Sequence, residues 1–271
     1  MIFRLCNLEA FGYTECMFGT EKILRDGKCF LLAYDQGLEH GPADLNEKNA
    51  DPQFIFDIAE QAGVFTCIAV QKGIAEKYYR KGEDKTPLVV KLNGKTNYHK
   101  GEELFSPQNC SVAEAIKLGA AGVGYTIYIG SERENESFAE FAKIQEEAHA
   151  AGLPVIMWAY PRGKHIGEAE HSPENIAYAA RIALEMGADM VKLAYTGDVE
   201  SMRWVTRVAG KTRVLAVGGA KTDTETVVNK TREIMAAGVT GWAMGRNIWQ
   251  TDDPVGTAKQ IAEVLFADRN G

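Results

Sequence analysis

The sequence predicts a single-domain α/β protein folded as a (β/α)8 barrel, the TIM barrel. Eight short segments rich in Val, Ile and Ala recur along the 271 residues, and amphipathic segments alternate with them. Most of the amphipathic segments end in Gly or Ala-Gly, which suits a helix that ends in the left-handed conformation. The apolar segments are nearly continuous, as strands are when both faces of a parallel sheet are buried.

The eight apolar segments define the predicted strands. A basic stretch, 71–86, separates the second strand from the third, and its helical pattern is weak. A doubly wound sheet is the alternative fold, but its edge strands would be shorter and more polar than these. The predicted strands span residues 29–35, 64–70, 87–92, 122–129, 153–160, 188–195, 213–217 and 238–244.

Helical patterns fill most of the gaps between these strands. The clearest places Phe138, Phe141, Ile144 and Ala148 on one face at the 3.6-residue period. The predicted helices span residues 52–61, 111–118, 134–150, 173–186, 198–208, 223–237 and 254–266.

Composition and charge narrow the class of protein. The chain is 45% apolar and 25% charged, which is typical of a soluble globular protein, and we expect one domain over 1–271 with a short amino-terminal extension of about 1–28. A net charge of −7 argues against a nucleic-acid-binding protein, which would carry a basic face. The sequence has no secretory signal and no apolar run long enough to span a membrane, so we expect a cytoplasmic protein.

Cysteine and histidine usage indicates no metal site and no disulfide framework. The five cysteines, Cys6, Cys16, Cys29, Cys67 and Cys110, include no C-x-x-C pair, and no His pair complements them. This usage is typical of a reducing cytosol. We therefore expect neither a metal nor another cofactor.

The end of the first predicted strand carries a dense set of polar residues. Asp35 is followed by Gln36, Glu39 and His40, with two glycines among them. Chemistry in a TIM barrel belongs at the carboxyl ends of the strands, so these residues are candidates for a site. The alternative is an Asx-type turn in which Asp35 only binds nearby backbone amides.

The fifth predicted strand places two aromatic side chains on one side. Trp158 and Tyr160 are two residues apart and therefore point the same way, and Arg162 follows them. A tyrosine hydroxyl at the barrel mouth can transfer a proton. The alternative is aromatic packing in the core with a satisfied hydroxyl.

The sixth predicted strand contains the most informative residue, Lys192, within the apolar segment 188–195. Burying an ammonium group costs several kcal/mol, and burial lowers the pKa of the amine. A neutral amine is what Schiff-base chemistry with a carbonyl requires. The alternatives are a lysine that reaches solvent or pairs with a carboxylate. Lys91 on the third strand could lower the pKa of this nucleophile or bind substrate.

The ends of the seventh and eighth predicted strands suggest a phosphate site. Gly218 and Gly219 follow one strand, and Gly245 and Arg246 follow the other. Phosphate sites in TIM barrels are frequently formed by these two loops, where backbone amides and an arginine meet the anion.

Five segments that carry these residues resemble the archaeal-type class I fructose-bisphosphate aldolases, a group of barrels related to the DhnA and DeoC aldolases. They are DQGLEHGP (35–42), WAYPRG (158–163), VKLAYTGD (191–198), GGAKT (218–222) and MGRNIW (244–249), and they occur in the family order. The resemblance extends from about residue 30 to the end. It implies reversible, metal-independent cleavage of fructose 1,6-bisphosphate to dihydroxyacetone phosphate and glyceraldehyde 3-phosphate, in glycolysis or gluconeogenesis.

The resemblance also implies roles for individual residues. Lys192 would form the Schiff base, Tyr160 would be the acid–base group, Asp35 would be the catalytic aspartate, and Trp158 would align the substrate. The phosphate beside the ketone would be held by Gly218, Gly219, Gly245 and Arg246. The distal phosphate would lie near His40 and Arg162.

One residue departs from the family pattern, and some alternatives stay open. Gln36 replaces the histidine that usually follows the strand-one aspartate, so a charged role at this position is lost. Relatives with other reactions include a transaldolase-like synthase of the aminodideoxyheptulosonate type and a thiolase acting on a phosphorylated diketone. A phosphosugar-binding barrel without catalysis is a further alternative. Family members tend to form symmetric rings, so we expect a homo-oligomer.

Overall fold

A computed structural model describes residues 19–98 and 103–267, which form a closed barrel of eight parallel strands. Each strand pairs with the next one in sequence, and the eighth pairs with the first. This order confirms the predicted TIM barrel and excludes a doubly wound sheet, which has two open edges. Most of the predicted extension, with Cys6 and Cys16, lies outside the described residues.

All eight predicted strands are present, and several are shorter than predicted. Residues 64–66 and 238–240 lead from the preceding helix and lie before the strands, although Thr66 N donates to Phe30 O and Thr240 N donates to Val214 O. The sixth strand ends before Ala194 and Tyr195, which therefore belong to the loop that follows. The strands are β1 Cys29–Tyr34, β2 Cys67–Gln71, β3 Leu88–Lys91, β4 Gly122–Ile129, β5 Val155–Pro161, β6 Met190–Leu193, β7 Arg213–Val217 and β8 Gly241–Met244.

Helices alternate with the strands, and all seven predicted helices are present. The weakly patterned stretch 71–86 contains a helix of seven residues. Left-handed glycines end helices as predicted, with φ of 64° at Gly63, 76° at Gly187 and 84° at Gly238. The helices are α1 Gly37–His40, α2 Gln53–Ala62, α3 Lys72–Tyr78, α4 Val112–Lys117, α5 Glu134–Ala150, α6 Pro173–Glu185, α7 Val199–Ala209, α8 Thr224–Ala236, α9 Arg246–Trp249 and α10 Pro254–Leu265.

Side-chain oxygens cap five of these helices. Each of these residues immediately precedes its helix and accepts a hydrogen bond from the backbone N–H three residues on, which satisfies a donor the helix cannot pair internally. They are Ser111, Ser172, Asp198, Asp223 and Asp253. None of the described helices is long and apolar enough to cross a membrane.

Two apolar layers hold the barrel together and determine where a cavity can form. The larger layer lies between the strands and the helices, and the smaller one fills the barrel interior with residues such as Leu31, Ile156 and Leu215. Ile23, from a 3-10 helix that precedes β1, is fully buried in the interior layer. Because this layer fills the barrel beneath the mouth, polar side chains collect at the carboxyl end of the strands.

Gly241 offers a test of the β1–β8 closure. A Cβ at this position would lie 1.8 Å from the backbone oxygen of Cys29, so Gly241→Ala must push two paired strands apart. We expect the free energy of unfolding to fall by about 3 kcal/mol, the upper range for overpacking. Urea unfolding followed by circular dichroism measures the change.

Gly73→Ala is the matched control for that variant. Gly73 lies in α3, and a Cβ there would meet no atom within 4 Å. We expect its stability to change by less than about 1 kcal/mol. Equal losses in the two variants would contradict the proposed tight closure.

Candidate active site

A cavity of about 920 Å³ lies at the carboxyl end of the barrel and is lined by the predicted residues. Parallel strands in a closed barrel all end at this face, so residues far apart in sequence meet there. All eleven predicted site residues line the cavity: Asp35, His40, Lys91, Trp158, Tyr160, Arg162, Lys192, Gly218, Gly219, Gly245 and Arg246.

Lys192 lies on β6 and points into the barrel beneath this cavity. The residue is 4% exposed, and its Nζ lies 4.9 Å from the ring centroid of Trp158 on the neighbouring strand. Burial lowers the pKa of Lys192. The carboxylates of Asp35 and Glu39 oppose that shift, and the ammonium of Lys91 adds to it. The result is an amine that loses its proton more readily than an exposed lysine.

Lys91 on β3 lies in the same buried cluster. The residue is 1% exposed, and its Nζ is 3.4 Å from Glu39 Oε1 and 3.8 Å from Asp35 Oδ2. Two carboxylates therefore compensate this buried ammonium, as a buried charge requires. Lys192 has no such carboxylate within 4.0 Å among the described residues. The two lysines thus have different surroundings, and Lys192 is the one suited to act as a nucleophile.

Trp158 forms the surface beside both amines. The Lys91 Nζ lies 5.6 Å and the Lys192 Nζ 4.9 Å from its ring. Its ring occupies the space above Gly124 on β4, where a Cβ would lie 1.8 Å from Trp158 Cζ3. Its indole Nε1 is buried and has no hydrogen-bond partner among the described residues. A substrate oxygen in the cavity is a suitable acceptor for this donor.

Tyr160 lies one layer above Trp158 on β5, so the predicted common side is confirmed. Its ring stacks on Tyr128 of β4, with centroids 6.3 Å apart and planes inclined by 29°. The Arg162 guanidinium lies 5.7 Å from the Tyr160 ring. Burial raises the pKa of Tyr160 well above its ordinary value, and the carboxylates of Asp35 and Glu39 raise it further. The hydroxyl is therefore protonated at rest and can act as an acid.

The loops after β7 and β8 meet as predicted for a phosphate site. Asn247 joins them: its Nδ2 donates to the backbone oxygens of Gly218 at 2.7 Å and Ala220 at 3.0 Å, and its Oδ1 accepts from Thr222 N at 2.8 Å. The Arg246 Nη2 donates to Gly219 O at 3.4 Å. The Arg246 side chain therefore lies against the glycine turn and faces the same cavity.

Carboxylates contact three basic side chains that line the cavity. Asp44 places one oxygen 2.7 Å from His40 Nδ1 and the other 3.5 Å from Arg246 Nη1. Glu170 Oε2 accepts from Arg162 Nε at 3.0 Å. These contacts orient the three side chains that the resemblance assigns to phosphate binding, and the shared Asp44 keeps His40 close to Arg246.

Gln36, the departure from the family pattern, lines the cavity too. Its Nε2 is buried and has no hydrogen-bond partner among the described residues. The amide therefore offers a neutral donor where the family usually has a histidine. Among residues 19–98 and 103–267, no group of three His, Cys, Asp or Glu side chains is arranged to hold a metal ion.

Several residues of the site were not singled out by the sequence. They are Gly124, Tyr128 and Asn247, which shape the cavity or join its loops, and Asp44, which contacts His40 and Arg246. Glu39 was noted beside Asp35 as part of the candidate site, and the structure shows that it contacts Lys91 and Tyr128. Tyr128 lies within a predicted strand, and Asn247 comes shortly after another. Nothing about either residue in the sequence shows whether its side chain packs in the core or lines a site.

Comparison with known proteins defines the family. The model of the DeoC/LacD family aldolases matches residues 29–251. The chain belongs to this family. It is therefore an aldolase, a lyase, as the resemblance implied.

Individual relatives are similar over most of their length. A class 1 fructose-bisphosphate aldolase of Thermoproteus tenax is 48% identical over 257 residues, covering 92% of this chain and 95% of the relative. A solved archaeal fructose-1,6-bisphosphate aldolase, with its catalytic lysine covalently bound to the carbinolamine intermediate, has a TM-score of 0.87 at 45% identity over 92% of this chain and 98% of that one. A fructose-bisphosphate aldolase/6-deoxy-5-ketofructose 1-phosphate synthase of Methanocaldococcus jannaschii is 35% identical, covering 90% of this chain and 82% of the relative.

Lys91→Met tests the electrostatics of the buried cluster. Because the Lys91 ammonium lowers the pKa of Lys192, its removal raises that pKa, and a larger share of Lys192 is then protonated at a given pH. We expect the acid limb of the pH profile of kcat/KM for aldol cleavage to move to higher pH. Steady-state assays across the pH range measure the shift.

Lys72→Met is the control for this effect. Lys72 pairs with Glu114 outside the cavity, and its side chain is 41% exposed. Its pH profile should match that of the wild type. An acid limb that stays in place, or moves to lower pH, in Lys91→Met would contradict the assigned influence of Lys91 on Lys192.

Proposed function

We propose that this chain is a metal-independent, Schiff-base fructose-1,6-bisphosphate aldolase. It would cleave the bisphosphate reversibly to dihydroxyacetone phosphate and glyceraldehyde 3-phosphate. The observation that carries the proposal is Lys192, a buried amine of lowered pKa in a cavity that is also lined by Arg162 and Arg246. The named relatives support the choice of substrate.

The open-chain ketose would bind in the cavity with each phosphate on its own set of donors. Gly218, Gly219, Gly245 and Arg246 would hold the phosphate beside the ketone, with backbone amides and a guanidinium as donors. His40 and Arg162 would hold the distal phosphate, and Lys91 would contact the hydroxyls between the two. Because both phosphates are anchored, the C2 carbonyl of the substrate lies over Lys192. The free energy of phosphate binding offsets the entropy lost when the carbonyl is oriented.

The first chemical stage would form the iminium. The neutral Lys192 amine attacks C2, and Tyr160 moves the proton from nitrogen to the former carbonyl oxygen to give the carbinolamine. Tyr160 then donates its own proton to that hydroxyl, which leaves as water, so the iminium forms beside a phenolate. Asp35 would stabilise the positive nitrogen and orient the hydroxyls.

The second stage would break the C3–C4 bond. The Tyr160 phenolate takes the C4 hydroxyl proton, C4 becomes the aldehyde carbon of glyceraldehyde 3-phosphate, and the bonding electrons pass into the iminium to give an enamine. Tyr160, protonated again, returns the proton to C3, and water hydrolyses the resulting iminium to release dihydroxyacetone phosphate. The sequence of steps returns Lys192 and Tyr160 to their starting states.

A second candidate is transfer of the same enamine to a different aldehyde. The relative from Methanocaldococcus jannaschii, whose name includes a 6-deoxy-5-ketofructose 1-phosphate synthase, supports it. A synthase of the aminodideoxyheptulosonate type and a phospho-diketone thiolase would use the same lysine. Turnover that requires a second acceptor substrate, an aldehyde or coenzyme A, would favour this candidate over the aldolase.

We further propose a cytoplasmic homo-oligomer that acts in glycolysis or gluconeogenesis. The free thiols of Cys29, Cys67 and Cys110 fit a reducing compartment. Tyr178 on α6 and Trp204 on α7, which are 63% and 39% exposed, supply large apolar surface on neighbouring outer helices. Light scattering coupled to size-exclusion chromatography tests the assembly, and a mass of one chain would contradict it.

Tyr160→Phe tests the proton transfers of the proposed reaction. The variant keeps the ring in place and removes the acid, and general acid–base groups typically contribute 10²–10⁴-fold, so we expect kcat for fructose 1,6-bisphosphate cleavage to fall by about that factor. The assay couples release of both triose phosphates and contains EDTA throughout. EDTA should leave the wild-type rate unchanged.

Tyr178→Phe is the matched control, because this tyrosine is exposed on α6 and lies outside the cavity. Its kcat should equal that of the wild type. A Tyr160→Phe enzyme that turns over like the wild type would refute the role of Tyr160, and wild-type protein without cleavage activity would refute the aldolase.

A further inference from the structure

A series of polar contacts at the barrel mouth joins three strand ends, and two of its members, Glu39 and Tyr128, have no part in the steps described above. Glu39 lies in α1, immediately after β1, and its side chain is 18% exposed. Tyr128 Oη donates to Glu39 Oε2 at 3.0 Å, and Lys91 Nζ donates to Glu39 Oε1 at 3.4 Å. Each oxygen of one carboxylate thus holds a different partner.

The Tyr128 ring, held in this way, contacts the Tyr160 ring. The two residues are register partners on β4 and β5 and both point into the cavity, so their rings lie side by side. The rings are stacked with centroids 6.3 Å apart. Tyr128 itself is 3% exposed, so the ring has little freedom once its hydroxyl is bound by Glu39.

The charges of Lys91 and Glu39 are consistent with the hydrogen bond between Tyr128 and Glu39. The Lys91 ammonium lies 3.4 Å from Glu39 Oε1, so the two opposite charges compensate each other. Burial raises the pKa of Tyr128, and the charge of Glu39 adds to that effect. The Tyr128 hydroxyl thus stays protonated and remains a donor to Glu39.

We propose that Glu39 and Tyr128 are positioning residues for Tyr160. Glu39 fixes the Tyr128 hydroxyl, and the fixed Tyr128 ring holds the Tyr160 ring in the orientation that carries its hydroxyl to C2 and C4 of the substrate. A misplacement of about 1 Å in a reacting group can cost 10²-fold, so a group that only restrains a ring can have a large kinetic effect. The proposal rests on the proton-transfer role of Tyr160 proposed above.

Tyr128→Phe is the variant that tests it, because it keeps the stacked ring and removes the donor to Glu39. We expect kcat for cleavage to fall about tenfold while KM changes less than about twofold, because orientation in the transition state is lost and substrate binding is not. Glu39→Gln should lower kcat in the same direction. Glu39→Leu removes the acceptor altogether. Its effect and that of Tyr128→Phe should not multiply in the double variant, because both remove the hydrogen bond from Tyr128 Oη to Glu39 Oε2.

The decisive comparison places Tyr128→Phe in a Tyr160→Phe background and measures single-turnover cleavage. If Tyr128 acts through the Tyr160 hydroxyl, it has nothing left to position, and the double variant matches Tyr160→Phe alone. A further tenfold loss in the double variant would overturn the proposal, because Tyr128 would then act independently of Tyr160. If Tyr128→Phe does not fold, Glu39→Leu in the same background is compared instead on the pH-independent plateau of the rate, because Glu39 also influences the pKa of Lys192.

Glu47→Gln is the control, since Glu47 is exposed in the loop that follows α1 and lies outside the cavity. Its kcat and KM should equal those of the wild type. Wild-type protein without cleavage activity would contradict the proposed function and the inference with it. Cleavage by the wild type, with independent penalties from Tyr128 and Tyr160, would contradict the inference alone.

Discussion

Burial of two lysines at the mouth of one barrel is the constraint on which the site depends. An ammonium removed from water needs compensation, and Asp35 and Glu39 lie close enough to Lys91 to provide it. Lys192 is also buried, and burial lowers its pKa, while no carboxylate of the described residues lies within 4.0 Å of its amine. The closed barrel makes this arrangement possible, because it brings the ends of β1, β3, β5 and β6 to the same cavity.

Links between neighbouring loops give the cavity its shape. Asn247 ties the loop after β7 to α9, and Asp44 ties the segment after β1 to Arg246. Each link ends on a group that faces the cavity, either a backbone turn or a cationic side chain. The cations are therefore oriented before a phosphate arrives, which reduces the conformational entropy that binding must remove.

The sequence predicted the barrel, the order of its strands and the eleven cavity residues, because strand periodicity and unusual residues at strand ends are local signals. Lys192 is the clearest example, since a lysine in an apolar strand conflicts with burial and needs a reason. Tyr128 and Gly124 could not be predicted, because their importance lies in the partner across the ladder, and that partner depends on register. The predicted strands were longer than the observed ones for a similar reason. An apolar segment in the sequence does not show at which residue pairing with the neighbouring strand begins.

Covalent trapping tests the central claim most directly. The protein is incubated with dihydroxyacetone phosphate and EDTA, reduced with borohydride and digested, and the modified peptide is located by mass spectrometry. The buried amine beneath the cavity predicts a single adduct on the peptide that contains Lys192. An adduct on Lys91 instead, or no adduct in protein that demonstrably binds the ligand, would contradict the assignment of the nucleophile.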